Sequence, residues 1–235
     1  MDDATSAITD KYTVHVSGKL ITMNVARPYS SIATTLEGDV LVVLARVSEP
    51  LTGRQVAGLV APHGSQPAVN SALDRLTRQG LVLRQRAGRA NLHTINRQHL
   101  GYAAVEALES IRARLISQLR TSFSDWPNRK AKRAPLHASL FGSTARADGD
   151  DGSDIDLFVV RPNAVAADDA EWTEQTASIC RSLESWTGNQ VNLVELPLSS
   201  LSSARSSNRA VLEEIERDQI LLCGAPLADL LNRGR

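Results

Sequence analysis

The segment between residues 140 and 160 constrains the fold of this chain more than any other. It runs from the apolar pair Leu140-Phe141 through Gly142-Ser143 and a polar stretch to Ser153-Asp154-Ile155-Asp156-Leu157-Phe158-Val159-Val160. This pattern predicts a strand, a turn that opens a short helix, a second turn, and a second strand that begins with Asp-x-Asp. Because residues two apart on a strand point to the same face, we expect Asp154 and Asp156 to converge on one point.

The converging carboxylates predict a site for a divalent cation and phosphate groups. Mg²⁺ or Mn²⁺ prefers oxygen ligands of this kind. Gly142 lets the backbone approach a phosphate, and Ser143 offers a hydroxyl and an N–H near a helix start, where anions are favoured. In the alternative, residues 148–154 form only a solvated acidic turn. That alternative leaves two acids on one face of an apolar strand unexplained, because strand interiors disfavour Asp.

The ordered motif resembles the signature of the DNA-polymerase-β-like nucleotidyltransferases, especially the minimal bacterial type. The resemblance rests on Gly142-Ser143, Arg146 and the Asp-x-Asp strand, and residues 212–224 are similar to that family's final helix and exit strand. It covers residues 134–225 and implies a mixed sheet with helices. It also implies that Asp154 and Asp156 are catalytic and hold Mg²⁺ or Mn²⁺, and that Gly142, Ser143 and Arg146 bind an NTP, for which we expect ATP.

The chain departs from the family at the third carboxylate, which the resemblance places on a later strand. The matching segment, residues 190–196, has Asn192 at that position. Strand alternation puts Glu195 on the opposite face, so Glu195 reaches the site only if a bulge re-aims it. Because an amide cannot act as a general base, the sequence predicts nucleotide binding and leaves open whether the protein is an enzyme.

The formal net charge of zero conceals two halves of opposite sign. Residues 1–135 hold 18 Lys and Arg against 10 Asp and Glu, whereas residues 136–235 hold 8 against 16. This asymmetry predicts two modules with different partners. The basic half is suited to meet nucleic acid, and the acidic half needs a metal ion to meet phosphate.

The basic half carries its own order of helices and strands. Residues 36–47 have helical spacing, and Thr52 and Ser65 are suited to cap a second and a third helix. Gly80 fits the position after the third helix, and residues 81–95 predict a β-hairpin. Over residues 34–97 this order resembles the winged helix-turn-helix domains of bacterial regulators.

That resemblance implies that the third helix enters the major groove of duplex DNA and that the hairpin contacts backbone or minor groove. Gln and Asn can pair with adenine edges, and Arg can pair with guanine or phosphate. The predicted DNA-binding residues are Gln66, Asn70, Arg75, Arg84, Arg86 and Arg89. In the alternative, the arginines form a solvated face and the module binds protein.

Four further expectations concern segments outside these motifs. Residues 101–123 predict an amphipathic helix that packs on a domain or pairs with a second copy. Residues 126–133 predict a polar, basic linker, and residues 199–207 a serine-rich turn. Residues 168–187 predict a helix with Trp172 and Trp186 mostly inward.

Together these patterns predict an α+β, or α/β, protein of two domains. We assign residues 1–29 to a β-hairpin extension around Ser17-Gly18-Lys19, 30–100 to the winged helix-turn-helix, 101–133 to a helix and basic linker, and 134–235 to the nucleotidyltransferase-like domain. No segment approaches 18 uninterrupted apolar residues, so no membrane span is expected. We expect Cys180 and Cys223 to be buried, in a reducing cytoplasm.

The combined interpretation is a DNA-binding protein whose second domain binds Mg-NTP and transfers NMP to an unidentified acceptor. The sequence leaves a second interpretation open. In it, the protein is a transcriptional regulator whose degenerate nucleotidyltransferase domain only senses nucleotide or binds a partner protein, as in toxin–antitoxin pairs. A homodimer also stays open.

Overall fold

The computed structural model describes residues 13–14, 22–127, 133–207 and 209–233, and the predicted hairpin turn at residues 17–19 lies outside them. The chain divides into two units. One unit is Pro28–Arg114, and the other joins Leu115–Arg235 to the N-terminal segment that ends at Arg27. Strand β1, Thr13–Val14, belongs to the second unit.

In the unit Pro28–Arg114, three helices precede a β-hairpin. The helices are α1 (Leu36–Arg46), α2 (Gly53–Val60) and α3 (Gln66–Arg78). The strands are β2 (Leu51–Thr52), β3 (Val82–Ala87) and β4 (Ala90–Ile95), preceded by a 3-10 turn at Pro28–Ser31. The sheet is antiparallel with the order β2-β4-β3.

The two helices α2 and α3 begin at the predicted caps. Thr52 Oγ1 accepts a hydrogen bond from the Gln55 N–H (3.3 Å), and Gln55 Oε1 accepts one from the Thr52 N–H (2.8 Å). Ser65 Oγ accepts from the Ala68 N–H (3.4 Å). Gly80, with φ of +79°, follows the end of α3 in the left-handed region that glycine favours. These local predictions are confirmed.

One apolar core holds this unit together. Helix α3 contributes Val69, Ala72, Leu73 and Leu76, which follow helical spacing, and α1, α2 and the hairpin cover them. The buried side chains are Val40, Leu44, Val56, Val60, Val69, Ala72, Leu73, Leu76, Val82, Ile95 and Val105. The helix α4, Tyr102–Ser124, matches the predicted amphipathic helix.

The second unit contains a mixed five-stranded sheet. Besides β1, its strands are β5 (His137–Phe141), β6 (Ile155–Arg161), β7 (Val191–Pro197) and β8 (Ile220–Gly224). Their order is β1-β7-β6-β5-β8. Strands β6 and β7 are parallel and the other pairs are antiparallel, which confirms a mixed α+β fold.

Helices cover both faces of this sheet. They are α5 (Gly142–Arg146), α6 (Ala170–Thr187), α7 (Leu201–Ser207), α8 (Arg209–Asp218) and α9 (Leu227–Arg233). On β6, Ile155 and Leu157 pack with α6, whereas Phe158 and Val160 pack with α7, α8 and α9. The continuous apolar run of β6 follows from this two-sided burial.

Two expectations about tryptophans and linkers are wrong. Trp126, assigned to a polar linker, is buried, with its ring 6.2 Å from Phe123 and 4.8 Å from Trp172. Contacts with these two aromatic rings bury Trp126, although the residues that follow it in the chain are basic. Trp172 is buried as predicted, but Trp186 is 40% exposed.

The expected serine-rich turn is also wrong, because residues 198–207 are helical. Leu201 and Ala204 are buried on one side of α7. The Ser203 and Ser207 hydroxyls donate to carbonyls about one turn earlier, so they find hydrogen-bond partners within the helical segment itself. In the N-terminal extension, residues 22–27 form no strand, so the described part contains only one arm of the predicted hairpin.

Both cysteines are buried, as predicted. In the described ranges, no helix is long and apolar enough to cross a membrane.

Candidate functional site

The Asp-x-Asp pair lies where β6 begins. Asp154 directly precedes the strand and is exposed, whereas Asp156 is half-buried within it. Ile155 and Leu157, which alternate with them, are fully buried. Phe141, the last residue of β5, pairs with Asp156, so the turn after β5 starts beside this carboxylate.

Gly142 touches the Asp156 carboxylate. It opens α5 with φ of +65°, in the region that favours glycine. A Cβ atom at this position would lie 2.5 Å from Asp156 Oδ2. Glycine is therefore required here for two reasons, its backbone conformation and the space that Asp156 occupies.

The loop after α5 folds back over Ser143. Ser143 is half-buried, and its carbonyl accepts a hydrogen bond from the Asp148 N–H (3.2 Å). A Cβ at Gly149 would lie 3.0 Å from Ser143 Oγ. Thr144 Oγ1 donates to the Asp154 carbonyl (3.4 Å), which ties α5 to the start of β6.

Asn192 completes the cluster from the neighbouring strand. It pairs with Asp156 in the parallel register of β6 and β7. Its Nδ2 donates to Asp154 Oδ2 (3.2 Å) and to Asp156 Oδ1 (3.3 Å). The amide thus stands between two carboxylates, at the place where the sequence resemblance expects a third acid.

Glu195 lies on the other face of β7. Its carboxylate accepts hydrogen bonds from Arg161 Nε (2.5 Å) and Trp172 Nε1 (2.7 Å). The β6–β7 register runs without interruption past it. This placement corrects the alternative in which a bulge brings Glu195 to the carboxylates, because the buried Arg161 already fixes it elsewhere.

The environment of Asp156 disfavours its charged form. Burial, together with the nearby charges of Asp154 and Glu214, raises the pKa of Asp156 to about 6, against the hydrogen bond from Asn192. A bound cation stabilises crowded carboxylates of this kind, because it neutralises their negative charge. Glu214, on α8, was not singled out from the sequence.

Arg146, predicted to bind phosphate, is held by three carboxylates. It bonds Asp148 (2.9 Å), Glu214 (3.0 Å) and Asp218 (3.2 Å). The pKa of Asp218 is lowered to about 2, first by Arg217 and also by Arg146. Arg146 therefore joins α5 to α8, and these carboxylates compete with phosphate oxygens for its guanidinium.

The residues present fit a magnesium or manganese ion. Within the described residues, no group of three or more His, Cys, Asp and Glu side chains is placed to hold a metal. The donor set is instead two carboxylates and one amide. Mg²⁺ commonly takes one or two carboxylates and completes its shell with water and substrate phosphates, so two suffice.

The residues predicted to bind DNA lie in the other unit and are exposed. Asn70, Arg84 and Arg89 line a polar groove of about 540 Å³, together with Arg54 at the start of α2. The remaining lining residues are Thr52, Gly53, Gln66, Asp74, Ala90, Asn91 and His93. Arg54 was not among the DNA-binding residues predicted from the sequence. Its position directly after the Thr52 cap and Gly53, at the start of a predicted helix, could have indicated it.

Two predicted DNA contacts are ion-paired. Arg75 on α3 bonds Glu37 on α1, and Arg84 on β3 bonds Asp74 on α3 (2.8 Å). Exposed ion pairs of this kind contribute little to stability. Each arginine can therefore exchange its carboxylate for another partner. Arg86 donates to the Gly88 carbonyl (3.3 Å) at the hairpin tip.

Comparison with known proteins identifies the domain that carries the carboxylates. Residues 118–216 match the sequence model of the nucleotidyltransferase domain family. The match spans Gly142, Asp154, Asp156 and Asn192, and it confirms the predicted nucleotidyltransferase domain. No curated protein matched the sequence.

Two solved structures resemble part of the chain. One is described as a toxin-antitoxin with AMP-PNP; it is 19% identical over 50% of this chain and 82% of its own, with a TM-score of 0.34. The other is a mutant of the toxin-antitoxin MntA-HpeT; it is 16% identical over 50% of this chain and 81% of its own, with a TM-score of 0.33.

Proposed function

We propose that this protein binds a nucleoside triphosphate, with ATP as the expected nucleotide, together with Mg²⁺ or Mn²⁺. The observation that carries the proposal is the convergence of Asp154, Asp156 and Asn192 beside Gly142. The family match over residues 118–216 supports it, because nucleotidyltransferase domains use a divalent cation.

Each residue has a role in this proposal. Asp154 and Asp156 hold the cation, which neutralises phosphate charge when bound. Gly142, which has no side chain, lets the phosphates approach the backbone, and Ser143 offers its hydroxyl. Arg146 contributes positive charge, in competition with the three carboxylates that it contacts.

Asn192 favours nucleotide binding over efficient transfer. In two-metal phosphoryl transfer, a further acid helps to hold the metal that activates the nucleophile, and an amide supplies no charge for this. The intact Gly-Ser and Asp-x-Asp elements support the second candidate, transfer of NMP to an acceptor. We therefore propose nucleotide sensing as the main function and slow transfer as the alternative.

The unit Pro28–Arg114 is proposed to bind duplex DNA as a winged helix-turn-helix. Its order of three helices and a hairpin, with exposed Gln66 and Asn70 on α3 and Arg86 and Arg89 at the hairpin, supports this. In this mode α3 enters the major groove and the hairpin contacts the backbone or minor groove. Nucleotide binding would then regulate a DNA-binding protein. Binding of a partner protein and assembly into a homodimer are the alternatives for the same surfaces.

Calorimetric titration with a non-hydrolysable ATP analogue tests the nucleotide site. Wild type should bind in Mg²⁺ or Mn²⁺ and lose binding when EDTA is added. Asp154→Ala combined with Asp156→Ala should abolish binding, because no other carboxylate in the described cluster can replace both.

A control for lost charge is Glu171→Ala combined with Glu174→Ala, which removes two acids from α6 and should leave affinity unchanged. Metal-independent binding that is equal in wild type and the Asp154/Asp156 variant contradicts the proposed site.

A further inference from the structure

The N-terminal segment contacts the nucleotidyltransferase domain from outside the matched residues 118–216. The Met23 N–H donates to the Thr187 carbonyl (3.0 Å) and to Asn189 Oδ1 (3.1 Å). Val25 is buried in the same core as β6 and α6. A segment that lies more than 90 residues before the matched region therefore packs on this domain.

The side chain of Asn189 links that segment to the turn before Asp154. Asn189 is 1% exposed. Its Nδ2 donates to the Met23 carbonyl (2.9 Å) and to the Ser153 carbonyl (3.0 Å). Both N–H groups and the oxygen of this amide are thus engaged, as a buried polar group requires.

Residues 189–190 hold the backbone on both sides of Asp154. Ser153, whose carbonyl bonds Asn189, comes directly before Asp154, and the Ile155 N–H after it donates to the Gln190 carbonyl (2.9 Å). The turn also bonds the N-terminal segment directly, because Asn24 Nδ2 donates to Asp151 Oδ1 (3.2 Å).

The turn of residues 150–153 is also closed by its own hydrogen bonds. The Asp150 N–H donates to Ser153 Oγ (2.8 Å), and the Gly152 N–H donates to Asp150 Oδ1 (3.0 Å). The turn is therefore a preformed unit, and Asn189 sets where that unit sits relative to β6.

We propose that Asn189 is a positioning residue for Asp154, and that through Met23 it makes the metal–nucleotide affinity depend on the docked N-terminal segment. This inference rests on the proposed function. Asp154 is exposed and its carboxylate accepts a hydrogen bond from Asn192, so the place of that carboxylate depends on this contact and on the backbone that carries it. Residues that orient a metal ligand in this way commonly change metal affinity about 10- to 100-fold when they are replaced.

The test compares Asn189→Ala with Thr176→Val in the full chain. Thr176 is also buried, and its hydroxyl bonds only backbone carbonyls within α6. Thr176→Val therefore removes a buried hydrogen-bonding group, as Asn189→Ala does, without touching the turn. Affinity for Mn²⁺ with a non-hydrolysable ATP analogue should fall at least about tenfold in Asn189→Ala and stay within about twofold of wild type in Thr176→Val.

Amide hydrogen exchange without ligand gives a readout that does not need nucleotide binding. Exchange at Gly152, Ser153 and Met23 should speed up together in Asn189→Ala and stay unchanged in Thr176→Val. Asn24→Ala is a milder variant for the case that Asn189→Ala does not fold, and it should show the same changes at smaller size.

The outcomes separate the two ideas. Wild type that binds no Mn²⁺–nucleotide refutes the proposed function, and the exchange of Gly152 and Ser153 still decides the linkage. If wild type binds and the Asn189 and Asn24 variants bind equally well, or if their turn exchanges at the wild-type rate, the positioning role is overturned.

Discussion

Replacing Asp156 by Asn should stabilise the ligand-free protein while it removes metal binding. The pKa of Asp156 is raised from 3.8 to about 6, first by burial and then by the charges of Asp154 and Glu214. The asparagine keeps an oxygen that can accept the hydrogen bond from Asn192 Nδ2. The change therefore removes the buried charge and preserves the contact.

The sign and size of the change in stability follow from the linkage between proton binding and folding. The folded state binds the Asp156 proton more tightly than the unfolded state, so this proton's stabilising contribution is complete below about pH 4 and is lost as pH rises through about 6. A difference of roughly 2 pH units corresponds to roughly 3 kcal/mol as an upper bound. Above pH 6, wild type carries this cost and Asp156→Asn does not.

Urea unfolding in EDTA at pH 7.5 and at pH 4.5 measures the effect. We expect Asp156→Asn to have the higher unfolding free energy at pH 7.5, by roughly 1–3 kcal/mol, and a smaller advantage at pH 4.5. The control Asp154→Asn changes an exposed carboxylate and should stay within about 0.5 kcal/mol of wild type. An Asp156→Asn protein that is less stable than wild type at pH 7.5 refutes the reasoning.

Three further predictions concern the site and the DNA-binding unit. Gly142→Ala should weaken Mg²⁺–nucleotide binding and cost roughly 1–3 kcal/mol of stability in urea unfolding, because its Cβ meets Asp156 and its φ is positive. An unchanged affinity and an unchanged unfolding free energy contradict the close contact. Arg86→Ala with Arg89→Ala should weaken duplex binding and flatten its salt dependence in fluorescence anisotropy across salt concentrations, and equal slopes contradict the phosphate contacts. Asn192→Asp should raise transfer from α-labelled NTP at least about tenfold with little change in nucleotide affinity, and transfer by wild type at the same rate contradicts the role assigned to Asn192.

The carboxylate pair could be predicted because its determinants are local. The two-residue period of a strand puts Asp154 and Asp156 together whatever the rest of the fold does, and the flanking Ile155 and Leu157 fix which face is buried. The caps at Thr52 and Ser65 were predictable for the same reason, since each depends on a residue three positions away.

The partners of Arg146 and Asn189 could not be predicted, because they depend on distant parts of the chain. Arg146 meets Glu214 and Asp218, which lie 68 and 72 positions later, and Asn189 meets Met23, 166 positions earlier. No periodicity or motif relates residues at such separations. The burial of Trp126 has the same origin, because Trp172 covers it from α6.

The geometry of Asn192 supports the proposal that this site takes one cation rather than two. Its Nδ2 donates to both Asp154 and Asp156, so without metal the amide stabilises the pair that a third carboxylate would repel. A cation bound between the carboxylates would face those N–H groups, and the amide would have to rotate and present its oxygen, giving up both hydrogen bonds. The site therefore keeps its two carboxylates in place at a lower electrostatic cost and offers less negative charge to a second cation. Those are properties that favour reversible nucleotide binding over turnover.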